Sequence, residues 1–575
     1  MLWRRLSPHY SHMVILFVLK SVGTLLDLAS PMIFAHIVDN VAPTKDVKTI
    51  LLWGGLILVV AFISLQFNVI PNRMAVRIAR DVTEKIRNDL FEKTLSLSGG
   101  QIDRLTLSSI ESRLTADTYN IHEFLNNMMR MGIRTPIMLI GGIFVIWAQD
   151  GALTLALVGA LPIMGAVVWK ISGKGISMYA DMQKTIDGMV RIVRENIVGV
   201  RVIKALSKTG YERERFDRDN SAVSDRETEA GVIMAMTNPA MNLLLNVGLV
   251  VIVIVGAFRV NDGLTKPGVI VAFLTYFTMF SSAMLWITRI FVSYSRGMAS
   301  SERIKEIMDL PNEPEIWPAV RIKDKNAPRV EFKNVSFSYD KKKNNIENIS
   351  FTIGKGETLG ILGSTGSGKS ALINLLMRFY DCDSGEIRVD GELVNAIAPE
   401  ELYPKFGVAF QNDIIFAGGI AENIDFGRGL SMKRISEAAL NAQATFIEDK
   451  PNGLNHRLAA RGTNVSGGQK QRLIIARALA SKPDILILDD SSSALDYTTD
   501  AALRRSIAKN YRETTLIIVA QRISSVMNAD KIIALDDGKL VGYGTHRFLS
   551  ENCEFYNEIY VSQMGGGESH QSSSL

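Results

Sequence analysis

Three features predict an α-helical membrane domain with six transmembrane helices followed by an α/β domain of the P-loop type. Six long apolar runs lie before residue 295, short β-branched runs alternate with helical ones after Met308, and one GxxxxGK[ST] loop sits between a strand and a helix. Composition agrees with the first feature: 47% of the 575 residues are apolar and 21% charged, below the roughly one quarter usual for a soluble chain. A net charge of +5, spread over 64 basic and 59 acidic residues, does not point to a nucleic-acid partner. Cys382 and Cys553 are too isolated for a disulfide framework or a metal site and read as reduced thiols.

A helix needs roughly 20 apolar residues to cross about 30 Å of hydrocarbon. Runs near Val14 to Ile37, Ile50 to Ile70, Arg134 to Gln149, Leu153 to Ser172, Pro239 to Phe258 and Val269 to Phe291 reach or approach that length. The third and fourth are separated only by Gln149-Asp150-Gly151, which predicts a tight helical hairpin. The first run is too long for a signal peptide and lacks a small-residue cleavage site, so it is expected to be a permanent span. Basic residues are retained on the cytoplasmic side. Arg4 and Arg5, and the long connections carrying Arg73, Arg77, Arg80, Arg87, Lys174, Arg191, Arg194, Arg201 and Lys204, therefore belong in the cytoplasm. Both long connections have helical periodicity and mixed charge, so the helices are expected to run well past the bilayer.

Beyond Met308, Pro311, Pro314, Pro318 and Pro328 punctuate a linker into the α/β region. The apolar strand Thr358 to Leu362 then leads into Gly363-Ser364-Thr365-Gly366-Ser367-Gly368-Lys369-Ser370, with a helical pattern over Ala371 to Phe379. The glycines let backbone N–H groups turn in around phosphate oxygens. Lys369 supplies a point charge for the β and γ phosphates, and Ser370 offers an oxygen to Mg²⁺. Further on, Ile485-Leu486-Ile487-Leu488 ends in Asp489, a strand delivering a carboxylate where a phosphate-bound Mg²⁺ needs one. The expected organisation is a membrane domain over 1–310, a linker over 311–328, a nucleotide-binding domain over 329–564 and a flexible polar tail over 565–575.

Between these elements stands Val465-Ser466-Gly467-Gly468-Gln469-Lys470-Gln471-Arg472, and Gln411 follows the strand Gly407 to Phe410. With the six spans, these motifs make the chain resemble an ABC exporter half-transporter of the multidrug type. The resemblance covers nearly the whole chain, and it implies ATP and Mg²⁺ as cofactors, a lipid bilayer, a small amphipathic cargo and a multi-pass place in a cell membrane. A bacterial inner membrane is expected, with the N-terminus and the nucleotide-binding domain cytoplasmic.

The same resemblance assigns Tyr339 to stacking on adenine, Gln411 to a lid contact with Mg²⁺, Ser466, Gly467, Gly468 and Gln469 to the signature that meets ATP on the opposite subunit, and Asp496 to the loop crossing the dimer interface. It also implies short coupling helices near Ser98 to Asp103 and Ala205 to Tyr211, the second reaching the partner's nucleotide domain, with Tyr211 either a knob there or a plain helix-face aromatic.

Two departures from the family's pattern bear on hydrolysis. The residue after the Mg²⁺ carboxylate, normally Glu, is Asp490, and the later switch residue, normally His, is Gln521. Asp is one methylene shorter, and a base withdrawn by about 1 Å can cost about a hundredfold in rate. Gln donates a hydrogen bond but carries no imidazolium charge. The expectation is a degenerate site that binds ATP and hydrolyses it slowly or not at all. Its intact SGGQ would then serve a catalytic site on a different half carrying Glu and His. Ala460, where the family usually has Glu, is a third departure and puts cross-talk from that loop in doubt. A homodimeric lipid or peptide exporter and an ATP-gated membrane regulator are the alternatives.

Lys20 and Asp27, seven apart on one helix face, are the ionisable candidates inside a span, for cargo or for an intrahelical or interhelical partnership, with snorkelling toward the cytoplasmic surface a further reading of Lys20. Phe273, Tyr276, Phe277, Phe280, Met284 and Trp286, with Met234, Met236 and Met241, are candidates to line an adaptable cavity or to pack against neighbours and lipid.

Overall fold

The computed structural model describes residues 2–312, 327–411, 413–491 and 495–564. Most of the expected linker, including Pro314 and Pro318, and the expected tail over 565–575 lie outside them. By internal contacts the chain forms two units: Met1–Leu95 with Leu107–Leu310, and Ser96–Thr106 with Pro311–Leu575.

The first unit is helical throughout. Among the described residues, six helical stretches are long and apolar enough to cross a membrane. They are built on Tyr10–His36, Val47–Leu95, Thr118–Trp147, Gly151–Ala205, the consecutive pair Thr209–Ala235 and Thr237–Asn261, and Pro267–Met308. Several continue far beyond bilayer thickness: at 1.5 Å per residue, the 55 residues of Gly151–Ala205 run for about 80 Å. The hairpin before that helix follows from its cap. Asp150 Oδ1 accepts the N–H groups of Ala152 at 2.9 Å and Leu153 at 3.1 Å, satisfying donors the helix leaves free, while Arg259 Nε donates to Oδ2 at 2.8 Å.

The core of this unit decides between the two readings of the aromatic residues. Phe273, Tyr276, Phe277 and Phe280 are fully buried among Leu28, Met138, Leu157, Met241 and their neighbours, so in this protomer they pack rather than line a cavity. Tyr276 donates its hydroxyl to the Leu28 carbonyl at 2.6 Å. Gly248 permits this packing, since a Cβ there would lie 2.2 Å from Phe277 Cζ. Met236 is exposed, and Met284 and Trp286 are half-buried.

Lys20 does not snorkel to the surface. It is 2% exposed and donates to Asn68 Oδ1 and Asn72 Oδ1, both at 3.0 Å. Asp27 accepts from Ser64 Oγ and from Arg134 Nη2, the latter at 3.0 Å. Lys20 and Asp27 thus serve contacts between helices and meet at Asn68, whose Nδ2 donates to Asp27 Oδ2 at 3.4 Å.

Below the spans, a π-helical turn over Arg113–Asp117 aims two charges at the last helix of the unit. The Asp117 carboxylate, buried, accepts from Ser300 Oγ at 2.8 Å and Arg303 Nε at 2.9 Å, and Arg113 Nη2 donates to Glu306 at 2.6 Å. The long connection near Ala205 to Tyr211 corrects one expectation. Instead of a separate short helix it forms a turn over Leu206–Lys208, reversed at Ser207, whose φ is 53°, and the next helix starts at Thr209.

The second unit carries two main sheets. The smaller is antiparallel, in the order Ile346–Ile353, Val330–Phe337, Ser384–Val389 and Glu392–Leu393. The larger has the order Lys539–Gly544, Lys531–Asp536, Thr358–Gly363, Thr515–Ala520, Ile485–Asp489 and Phe406–Ala409. All but its first strand run parallel. Strands such as Ile485–Asp489, buried at every position, are what a parallel sheet covered on both faces demands. The helix Gly99–Leu105 belongs to this unit although it is encoded between membrane helices.

Candidate nucleotide site

Register in the larger sheet assembles the site. Leu362 pairs with Ala520, and Val519 pairs with Asp489. The phosphate loop, the Gln521 turn and the two aspartates therefore leave neighbouring strands at their carboxyl ends, where parallel α/β sheets place ligands. Tyr339, Thr365, Gly366, Gly368, Lys369, Ser370, Gln411, Asp489, Asp490 and Gln521 line one cleft of about 250 Å³, with Asn345 beside them. Gly363, Ser364 and Ser367 shape the loop: Ser367 N donates to the Ser364 carbonyl at 3.2 Å, and a Cβ on Gly363 would meet Ser367 Oγ at 2.4 Å. Gly368 has φ 100°, and a side chain there would strike the Asn345 carbonyl at 2.7 Å. Lys369 Nζ donates to the carbonyls of Gly363 at 2.8 Å and Ser364 at 2.6 Å.

The electrostatics of the cleft are those of charges held partly out of water. Burial lowers the Lys369 ammonium, against the pull of Asp489 and Asp490. Burial, and then the neighbouring Asp490, push the Asp489 carboxyl above its ordinary range. Asp490 is also pushed up, by burial that outweighs Lys369 and Arg522. Asp490 adopts φ 46°, which Asp tolerates better than most residues, and its carboxylate accepts from Gln411 Nε2 at 3.2 Å. Ser370, Gln411 and Asp489 all line the cleft and carry hard oxygen donors, a set that fits Mg²⁺. No group of three or more His, Cys, Asp or Glu able to hold a metal occurs among the described residues, so such an ion would draw its remaining ligands from phosphate and water.

Tyr339 is held as a platform. Its backbone N–H donates to Asn345 Oδ1 at 3.0 Å, and its hydroxyl accepts from Asn374 Nδ2 at 3.0 Å. Phe337 and Tyr380 meet its ring edge-on, at 4.8 and 5.0 Å between centroids. Sequence reasoning missed what Tyr380 does next. Its hydroxyl donates to Asp103 Oδ2 at 2.6 Å, and Gly99 N donates to the Phe379 carbonyl at 3.3 Å, so the helix Gly99–Leu105 lies against the ring that supports Tyr339. Burial, and then the Asp103 bond, push the Tyr380 phenol upward.

The remaining expected residues do not join this cleft. Ser466 caps the helix Gly467–Ala480 in a reciprocal box with Gln469: Ser466 Oγ accepts from Gln469 N at 3.3 Å and Ser466 N donates to Gln469 Oε1 at 3.2 Å. Gly467 and Gly468 form that helix's first turn, with their N–H groups at its positive end. Asp496 caps the helix Tyr497–Asn510 through Thr499 N at 2.9 Å and accepts from the hydroxyls of Thr498 and Thr499. Those bonds hold its carboxyl well below the usual range. Ser493 and Ala494 lie outside the described residues. A further residue missed in the sequence, Gln563, hydrogen-bonds the backbone on either side of Arg522.

A membrane unit of six spans and a P-loop cleft with its signature helix define a transporter driven by nucleotide. The family described as ABC transporter transmembrane region matches residues 13–284 and the family described as ABC transporter matches 346–493, and the chain belongs to the ABC transporter family as a half-transporter with both regions fused. Within the family it is 34% identical to the ABC transporter ATP-binding protein YfiB of Bacillus subtilis over 98% of this chain and 99% of that one. It is 30% identical to the ATP-dependent lipid A-core flippase of Syntrophus aciditrophicus over 83% of this chain and 80% of that one. A solved bacterial Atm1-family ABC exporter with ATP bound superimposes with TM-score 0.82 at 23% identity, covering 99% of both chains, a likeness of fold.

Proposed function

We propose that this chain is one half of an ATP-driven exporter, that its own phosphate loop forms a degenerate site, and that it lends its SGGQ helix to a catalytic site on a non-identical partner. The observation that carries the reading is the meeting of both altered positions, Asp490 and Gln521, in one cleft with Lys369 and Asp489. In this reading Tyr339 stacks on adenine, the loop N–H groups and Lys369 hold the phosphates, and Gln521 donates to the γ phosphate. Mg²⁺ held by Ser370, Gln411 and Asp489 would neutralise phosphate charge. Asp490, short and turned toward Gln411, leaves the attacking water poorly positioned. Ser466 to Gln469 and Asp496 stand apart from the cleft, in keeping with service to a second subunit's nucleotide.

The proposed setting is a bacterial inner membrane with the nucleotide unit cytoplasmic, and the proposed cargo is amphipathic, of the multidrug kind. Similarity to a lipid A-core flippase favours lipid as a second reading of the cargo. Tagged chain drawn from native membranes should bring with it a half-transporter carrying Glu and His at the two altered positions, and the pair should hydrolyse ATP. Recovery of this chain with only itself, fully active, would remove the heterodimer. ATP-dependent uptake into inverted vesicles separates either exporter from a regulator without turnover.

A further inference from the structure

The turn that carries Gln521 is held from behind by the last described helix, Glu554–Met564, which lies past the end of the family match at residue 493. Gln563 Nε2 donates to the Gln521 carbonyl at 2.9 Å, and Gln563 Oε1 accepts from Ile523 N at 2.8 Å. The two bonds read the backbone as a paired strand would. They also fix the amide's orientation, because a flipped carboxamide would set N–H against N–H and oxygen against oxygen. Ile523 opens the short helix Ile523–Val526, whose preceding residue Arg522 provides no side-chain cap, so Gln563 satisfies a donor the chain otherwise leaves open.

The clamp has a firm base. Tyr556, on the same helix as Gln563, is fully buried with Ile523, Val526, Leu549 and Cys553, and its hydroxyl oxygen lies 2.7 Å from His546 Nδ1. A helix seated in the core thus presents one carboxamide to the turn whose Gln521 lines the cleft beside Lys369 and Asp489.

We infer that Gln563 is a positioning residue for the γ phosphate: it holds the Gln521 backbone so that the Gln521 side chain meets that phosphate. The inference rests on the reading of Gln521 as a γ-phosphate contact. It predicts that loss of the clamp weakens ATP and spares ADP, because adenine and the α and β phosphates are held by Tyr339 and the phosphate loop, far along the chain from Gln563.

The test is binding of ATP and of ADP, each with Mg²⁺, to the full-length chain in lipid nanodiscs. The variants are Gln563→Ala, Gln563→Glu, Gln521→Ala and the double Gln521→Ala/Gln563→Ala. Gln563→Glu keeps an acceptor for Ile523 N but sets a carboxylate oxygen against the Gln521 carbonyl. Removal of a hydrogen bond of this kind should lower the ATP-over-ADP preference about three- to tenfold in both Gln563 variants, with ADP affinity unchanged. The double variant should lose no more than Gln521→Ala alone.

A plain loss of stability would lower both nucleotides together and leave the preference intact, which would overturn the inference. So would a preference unchanged in the Gln563 variants while Gln521→Ala lowers it; the reading of Gln521 would then survive. A silent Gln521→Ala would remove that reading and the inference with it. Should Gln563→Ala fail to bind ADP through misfolding, Gln563→Glu decides, together with amide exchange over 521–526, which should quicken without nucleotide.

Discussion

Lengthening Asp490 is the most direct test of the proposal that this site hydrolyses ATP poorly for want of a longer carboxylate. Asp490→Glu carries the carboxylate about 1 Å further toward the phosphates, and a correction of that size is worth roughly a hundredfold in rate. The local backbone returns part of it. Position 490 adopts φ 46°, where Glu is less at ease than Asp by up to about 1 kcal/mol, or about fivefold. The longer side chain must also leave the 3.2 Å bond from Gln411. The expected net gain is about 20- to 100-fold in phosphate release, with Gln521→His adding to it. The assay is turnover of the purified full-length chain in lipid, with Lys369→Ala as a control and ATP binding as a check of folding. If the natural chain already turns over ATP at rates ordinary for the family, if Lys369→Ala abolishes that turnover, and if Asp490→Glu adds less than twofold, then Asp490 is an adequate base and the argument from side-chain length is wrong.

Other perturbations test separate parts of the structure. Because Asp489 and Asp490 have folded values raised above their unfolded ones, their ionisation costs stability as pH rises through the folded range, and the cost is absent below the ordinary carboxylate range. Asp490→Asn should therefore raise the melting temperature at pH 8 without Mg²⁺, with the gain fading as pH falls through that range; a lower melting temperature at pH 8 would refute this. Arg303→Ala leaves the buried Asp117 carboxylate with Ser300 and, since Arg303 is itself half-exposed and water can take its place, should cost about 1–2 kcal/mol, read by thermal unfolding in micelles. Tyr380→Phe removes the bond to Asp103 and Gly99→Val sets a side chain 2.9 Å from the Tyr380 ring. Each should speed amide exchange in Gly99–Leu105 several-fold while changing ATP affinity less than twofold.

What the sequence makes legible here is chemistry tied to local pattern. The phosphate loop, Asp489 and the SGGQ cap depend on residues a few positions apart, and the length of the apolar runs alone finds the six spans. Contacts between distant segments left no such trace. Nothing near Tyr380 announces Asp103, 277 residues earlier, and nothing near Gln521 announces Gln563. The same limit explains Lys20 and the aromatic residues of the last membrane helix. Their faces are visible in the sequence, but which neighbour covers them is decided by tertiary packing: Asn68 and Asn72 for Lys20, and the Leu28 carbonyl for Tyr276. The turn after Ala205 shows a further gap, since the left-handed Ser207 ends one helix and starts another without the glycine or proline that usually marks such a break.

The membership of Ser96–Thr106 in the second unit sets an order of events during synthesis. A ribosome adding about 5–20 residues per second completes Tyr380 roughly 15 to 55 s after Asp103, across the 277 residues between them. Throughout that interval the seven residues of Gly99–Leu105 wait without the ring and carbonyl they will pack against, while the spans on either side enter the bilayer. A chain halted near residue 310 would carry this segment as an unfinished surface open to chaperones. A fragment begun at 311 would in turn lack a piece of its own fold, and supplying the missing helix as a peptide is a direct way to ask how much stability it brings.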